Sequence, residues 1–513
     1  MELLFVSARS ASVLLNPDGD YLLPSPVRLS LKQEGGGIFP LGEEKRSVVS
    51  LFDLTPDREY TLLLRGEDSP EQALTFRTEK ESYTLNVRRF GAAGDGRTDD
   101  TAALQAAILS CPEGGRVLIP AGNYHTAPLF LKSHLTLELK KGAVLSLSTD
   151  PDRFPILPGV LFPTEGGEEY SIGSWEGNPL DSYASALTGI GVEDVRIIGE
   201  GIVDGRAQDS PWWVSPKERK KAFRGHLLFL RNCSRVTVQG ITFRNSPAWN
   251  LHPLFCTDLT FLNISVEAPP VSPNTDGFDP QSCRGVRLFG ARFSVGDDCI
   301  ALKSGKIYMG RKYRTPCEDV EIAWCAMLDG HGGVTVGSEI AGGCRNVRVH
   351  HCWMRGNDRG LRIKTRRGRG KYAVIDGIVF EHIRMEDVKV PLVVNCMYFC
   401  DPDGHSAFVQ SRDPQPVDDT TPTVGSITFE NVTAVDCHAC AAYLLGLPER
   451  PISSLTVRNC RFSFRPDAAG ITPAMADGVP VHLRRGIVAR FVDRLNLENV
   501  VMEGIVGEEI AEE

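Results

Sequence analysis

No stretch of this 513-residue sequence approaches the ~18 consecutive apolar residues of a membrane-crossing helix. Nor is there an excess of basic charge: 56 Lys and Arg stand against 65 Asp and Glu, a net charge of -9. That balance argues against a general nucleic-acid or anionic-membrane binder, so an anionic ligand has to meet a local basic patch. The opening segment MELLFVSARSASVLLNPDGDY places Glu2 and Arg9 around an apolar run too short for a secretory h-region, and a cytoplasmic protein is expected. The CxxC pair Cys437 and Cys440 lacks a second pair at zinc-finger spacing, so the sequence implies neither a metal nor a cofactor. The 14 cysteines lie mostly inside apolar strand-like runs and read as buried reduced thiols.

What is present is a hydrophobic fraction of 42%, which excludes disorder, together with 50 glycines and 33 prolines that punctuate many short strands. Residues 1–80 alternate strand-like runs with turns, and the phrase LTPDREYTLLL resembles the late strands of a fibronectin type III-like β-sandwich. A second domain is expected over 81–513. Within it TDDTAALQAAILSC predicts a helix over about 98–111, with Thr98, Asp99 or Asp100 as its cap and Ala103, Leu104, Ala107 and Ile108 on its apolar side.

From residue 115 short strands repeat. The phrase C-x-x-[VL]-x-[VIFL] begins at Cys233, Cys256, Cys283, Cys317 and Cys344, at intervals of 23, 27, 34 and 27 residues. A constant phrase at unequal spacing means that one rung repeats while the loops between rungs vary. The reading is an all-β right-handed parallel β-helix with Cys, Val, Ile and Leu stacked inward and the early helix capping one end.

The same phrase supplies a register for polar residues. Asp297 and His331 each lie fourteen positions after their rung cysteine, so they should stack on neighbouring coils. Asp298 follows directly, Asp276 belongs to the preceding coil and Arg362 to the next one after His331. Carboxylates on adjacent coils should fall roughly 5–10 Å apart, a range that includes the ~6.5–9.5 Å at which a water fits between an acid and a base flanking a sugar. Three crowded aspartates cannot all ionise cheaply, which leaves at least one protonated beside ionised partners. For Asp297 and Asp298 both to face one groove the backbone has to bend, and Gly296 permits a turn there. In strand alternation Arg362 and Lys364 share a side opposite Ile363, two cations suited to a carboxylate-bearing sugar. The roles of Arg366, Arg367 and Arg369 stay open, and the basic run lacks the interleaved aromatics of a base-stacking platform.

The strings NTDGFD (274–279), GDD (296–298), GHG (330–332) and RIK (362–364), in this order and spacing, resemble glycoside hydrolase family 28, the polygalacturonases, and most of all its bacterial exo-acting members. The resemblance runs from about residue 82 to about 500. It implies hydrolysis of α-1,4-galacturonide bonds in polygalacturonate with inversion and without metal. It further implies Asp297 as general acid, Asp276 and Asp298 as holders of the attacking water, and His331 as support for the acid. Arg362 and Lys364 would bind the sugar carboxylate, with Asn274 and Lys303 lining the groove.

Two long segments, 159–185 and 400–423, are candidate groove walls that would favour attack at a chain end, and Trp175 and Tyr183 in the first are candidates for sugar stacking. Three alternatives share the scaffold: a rhamnogalacturonan or xylogalacturonan hydrolase, a polysaccharide lyase, and a non-catalytic carbohydrate-binding solenoid. A lyase needs a calcium-binding carboxylate cluster or a basic proton abstractor. A binding solenoid gives no reason to place Asp276, Asp297, Asp298 and His331 on neighbouring coils. Composition leaves the oligomeric state open.

Overall fold

The computed structural model describes residues 1–67 and 70–512. The chain first forms two antiparallel sheets. One joins Glu2–Val6, Ala11–Leu14 and Val48–Leu51; the other orders Ile38–Arg46, Leu22–Gln33, Glu59–Arg65 and Gln72–Arg77. This is a three-on-four sandwich, its alternate residues Val13, Leu29, Leu31, Leu62, Leu64 and Phe76 closing one core. The LTPDREY phrase explains itself locally: the Tyr60 hydroxyl accepts a hydrogen bond from the Thr55 backbone N–H at 2.9 Å and pins the turn before its own strand.

The next strand, Thr84–Asn86, pairs in parallel with Arg116–Leu118 and opens the solenoid. Leu14 and Val48 of the sandwich pack with Leu262, Phe289 and Trp324 of the solenoid flank, and Tyr21 stacks on Trp353 with ring centres 6.4 Å apart. The Ser10 hydroxyl donates to Gln239 Oε1 at 2.6 Å, and Asn263 Nδ2 donates to the Val48 carbonyl at 2.8 Å.

The solenoid is a parallel β-helix. Val195, Val236, Leu259, Val286, Val320, Val347 and Ile378 are successive register partners, and the phrase cysteines form their own column, with Cys317 directly opposite Cys344. All are buried. Residues three apart on a regular strand face opposite ways, yet each cysteine and the apolar residue three positions on both point inward. The residue between them resolves this: Arg235, Asp258, Gly285, Asp319 and Asn346 all have left-handed φ of +52° to +70°. That backbone kink turns the strand by one face, and Gly, Asn and Asp are the residues that adopt it most readily.

The predicted helix spans Thr101–Ser110 and buries Leu104, Ala107 and Ile108 against the first coils. Asp100 holds its N-cap position, but its carboxylate accepts from the Ala93 and Gly94 N–H groups instead of from the helix; Asp99 takes the Thr101 N–H. No helix among the described residues is long and apolar enough to cross a membrane.

All fourteen cysteines are free thiols, and Cys400 is the exposed one. Burial raises the thiols of the rung column well above the ordinary range, Cys344 and Cys256 among them. A thiol-titrating disulfide reagent should therefore modify one thiol of the native protein rapidly and all fourteen in guanidinium. Rapid native reaction of three or more would contradict the packed column.

Candidate active site

One face of the solenoid runs through Leu228–Arg231, Leu251–Leu254, a short bridged segment at Phe278, then Ile300–Leu302, Gly332–Val336, Arg359–Lys364 and Val390–Asn395. Phe278, Ile300, Val334 and Leu361 point into the core, so alternate positions point out. The candidate residues sit where the chain enters this face. The Gly277 N–H donates to the Asp298 carbonyl at 2.9 Å, Cys299 to Gly332 at 2.8 Å and His331 to Asp297 at 3.0 Å, so consecutive coils lock their turns together. Asp297 and His331 are rung neighbours, as their common offset requires, with Asp297 Oδ1 3.3 Å from His331 Nδ1.

Gly296 and Asp297 form the expected bend, but for a different reason. The φ of Gly296 is not left-handed; a Cβ there would lie 2.5 Å from the Ser272 carbonyl oxygen, so the glycine is required by the close passage of the 269–272 loop. Gly332 serves likewise, since a Cβ would lie 2.6 Å from Asp298 Oδ1.

Asp276, Asp297 and Asp298 bring one oxygen each within 4.8 Å of one another. These closest oxygen-to-oxygen separations fall at or just inside the near end of the roughly 5–10 Å expected for adjacent coils, the parallel bridge Phe278–Ile300 bringing Asp276 beside Asp298. A water at ordinary hydrogen-bond length, about 2.8 Å from each, still bridges two oxygens at that separation.

The cations decide the charge states. Arg362 Nη1 lies 3.3 Å from Asp298 Oδ1 and Lys364 Nζ 2.7 Å from Asp298 Oδ2, all three side chains buried. Burial alone would raise Asp298; Lys364 and Arg362 outweigh it and hold the carboxyl far below the usual range. Asp276 goes the other way. Burial first, then the charges of Asp297 and Asp279, push its pKa well above that of a free carboxyl. The hydrogen bond to Asp297 raises His331, which keeps an imidazolium favoured at the groove lip. The cluster thus holds a clamped anion, Asp298, beside a buried Asp276 whose neutral form is favoured.

Lys303 is a buried hub. Its Nζ lies 2.9 Å from Glu339 Oε2, 3.5 Å from Asp279 Oδ1, 3.8 Å from Asp276 Oδ2 and 4.4 Å from the centre of the Trp249 ring. Glu339 had no reading in sequence, although it closes the string GHGGVTVGSE that the GHG triplet opens. Tyr398 was also missed; its ring centre is 5.5 Å from Lys364 Nζ and 5.8 Å from the Arg362 guanidinium.

Two aromatic expectations are corrected. Trp175 is 9% exposed and stacks on Phe223 at 5.1 Å with the Arg224 guanidinium also 5.1 Å from its ring, so it offers no free platform for a sugar. Tyr183 is buried edge-on against Phe154 and Trp212. Asn274 does not reach into an open groove as a free side chain, since its Oδ1 accepts from Arg224 Nη2 at 2.7 Å. The open question over the basic run is answered by pairing: Arg366 binds Asp403, Arg367 binds Glu449 and Arg369 binds Asp401. Arg366 and Arg369 fasten the 400–423 segment to the solenoid through these carboxylates, and Arg367 does so by donating from Nη1 to the carbonyls of Phe408, Val409 and Ser411.

Three aspartates within 4.8 Å of one another, one of them clamped by two cations, on one face of a parallel β-helix fit a glycan-cleaving hydrolase. The family model for glycosyl hydrolases family 28 matches residues 140–472, and one described as rhamnogalacturonase A/epimerase, pectate lyase-like, matches 84–138. A probable polygalacturonase of Vitis vinifera is 31% identical over 387 residues, 74% of either chain. An exo-poly-alpha-D-galacturonosidase of Dickeya chrysanthemi is 27% identical over 410 residues, 71% of this chain and 64% of that one. The family 28 exopolygalacturonase structure from Yersinia enterocolitica shares the fold over 98% of this chain and 97% of its own, with a TM-score of 0.68 at 18% identity. The chain belongs to glycosyl hydrolases family 28.

If Asp298 acts ionised, removing its nearest cation should return proton affinity to it. Lys364→Met should then move the acidic limb of the pH dependence of kcat/KM to higher pH. A pH–rate profile with an unmoved acidic limb would detach Asp298 from the rate.

Proposed function

We propose that this enzyme hydrolyses the α-1,4-galacturonide bonds of polygalacturonate and its oligomers with inversion, attacking from a chain end. The observation that carries the reading is the aspartate trio held against Lys303, Arg362 and Lys364 on one groove, in a family whose relatives include polygalacturonases and exopolygalacturonases.

In this mechanism Asp297, the most exposed of the three acids, gives its proton to the leaving glycosidic oxygen as the bond to the anomeric carbon breaks. A water bridging Asp276 and Asp298 attacks that carbon from the other face. Its proton passes to Asp276, whose burial makes it the more basic of the two, and Asp298 remains an anion that orients the water. A single proton exchanged within the Asp276–Asp297 pair then restores the starting state. An α-linked substrate releases a β-configured sugar.

The chain-end preference is supported by the walls. Lys306 Nζ lies 3.8 Å from Glu176 and 3.2 Å from Asp401, and its backbone N–H donates to Gly177 at 2.9 Å. The 159–185 and 400–423 segments therefore meet through one lysine at the flank of the groove, next to Lys303 and Glu339. A reducing compartment, the cytoplasm, belongs to the same proposal, and the buried free thiols support it.

Chromatography of early products from polygalacturonate tests this: monogalacturonate alone is expected, and a ladder of mixed oligomers would overturn the chain-end reading. Proton NMR of the first product should show the β anomer. Asp297→Asn should lose roughly a hundred- to ten-thousand-fold in kcat with an unchanged circular dichroism spectrum and melting temperature. Retention of a tenth of the activity would remove Asp297 from the acid role.

A further inference from the structure

The cations of the groove are already engaged. Arg362 and Lys364 hold Asp298, and Lys303 holds Glu339 and Asp279. Arg224 differs. Its Nη1 donates to the carbonyls of Pro247 at 2.7 Å and Pro273 at 3.0 Å, and Nη2 to Asn274 Oδ1 at 2.7 Å. Its Nε is buried with no acceptor, and no carboxylate among the described residues forms an ion pair with it. At 5% exposure it is as accessible as Asp276 at 4% and as Arg362 and Lys364 at 6%. Burial depresses its pKa to about 10, so it remains a cation at neutral pH. The charges of Glu176 and Asp276 are near, but its hydrogen bonds all go to neutral acceptors; a buried cation so placed is costly, and an incoming anion offsets that cost.

Its position is informative. Pro273 and Asn274 lie immediately before Asp276, so Arg224 flanks the trio from the coils on its N-terminal side, whereas Arg362 and Lys364 flank it from the other. Trp175, on which the guanidinium lies, belongs to the turn whose next residues, Glu176 and Gly177, meet Lys306 at the wall. A sugar lying against Arg224 is therefore on the side of the trio nearer the Lys306 junction, where the two wall segments meet.

We infer that Arg224 binds the carboxylate of the chain-terminal galacturonate, with Trp175 and Asn274 fixing the plane and direction of its guanidinium. The inference rests on the galacturonide, chain-end reading above and names the residue that makes the terminal unit's charge matter. Trp175 is then a support for the cation. A neutral terminal sugar leaves the Arg224 charge unmet, which turns a shared groove into a selective one.

The test uses the full-length wild type, Arg224→Gln and Arg224→Lys. Inhibition by galacturonate and by galactose is measured for each, with kcat and KM on trigalacturonate and on its methyl ester. Wild type should bind galacturonate about tenfold or more tightly than galactose, as charge-assisted pairing predicts. Arg224→Gln should erase most of that ratio and raise KM on trigalacturonate about tenfold, with little change on the ester. Arg224→Lys, which keeps charge but not the planar donors, should fall between, and it reads the same ratio if the glutamine variant does not fold. A folded Arg224→Gln that keeps the wild-type ratio, or that loses kcat equally on acid and ester, overturns the inference alone. A wild type that cleaves no galacturonide overturns the functional reading and this inference with it.

Discussion

Parallel register between successive coils is the constraint on which the rest of this molecule depends. Each rung lies about 4.8 Å from the next, so a residue's neighbours are chosen by its position in the coil and hardly at all by its distance along the chain. Asp276, Asp298, His331 and Arg362 come from four coils separated by loops of different length, yet they meet because their turns share hydrogen bonds from one coil to the next. The same spacing is what crowds the acids. Carboxylates stacked a rung apart repel strongly in a buried place, and three cations from the same columns make the arrangement affordable.

The division of labour among the acids follows from where those cations lie. Lys364 and Arg362 converge on a single carboxylate, Asp298, whereas burial and neighbouring charge favour the neutral form of Asp276. Two chemically identical side chains thereby acquire opposite proton affinities without any difference in residue type. His331, more than half exposed at the lip, contributes through Asp297 alone.

Much of the fold was legible because a β-helix writes its register into the sequence. The C-x-x-V phrase revealed the rung, and the fourteen-residue offset brought Asp297 to His331 before any coordinates. The kink inside the phrase was written there too, in Gly285, Asp258, Asp319 and Asn346, but its meaning needs the backbone. Alternation placed Arg362 and Lys364 outward correctly. It could not say that they would be spent on Asp298, since that carboxylate lies more than sixty residues away, on a rung with one whole coil in between. The loops were least legible. Trp175 and Tyr183 read as exposed because their neighbours are polar, whereas Phe223, Phe154 and Trp212 cover them from other segments. Gly296 was recognised as a bend, but the reason for it, a loop passing overhead, is a contact no local pattern encodes.

The Lys306 junction separates two properties that share one groove. The acids and their cations are fixed to the rungs, whereas the flank of the groove is shut by two excursions that meet on a single side chain and a single backbone N–H. The excursions are tied to the rungs by side chains such as Arg231, Arg366 and Arg369, and the rung-to-rung backbone pairing does not pass through them. The depth of the groove is accordingly a modular trait, open to change by insertion at a turn, while the chemistry beneath is inherited as a block. Lineages sharing the same rungs can diverge in how much of a polymer they admit without any substitution among the reacting groups.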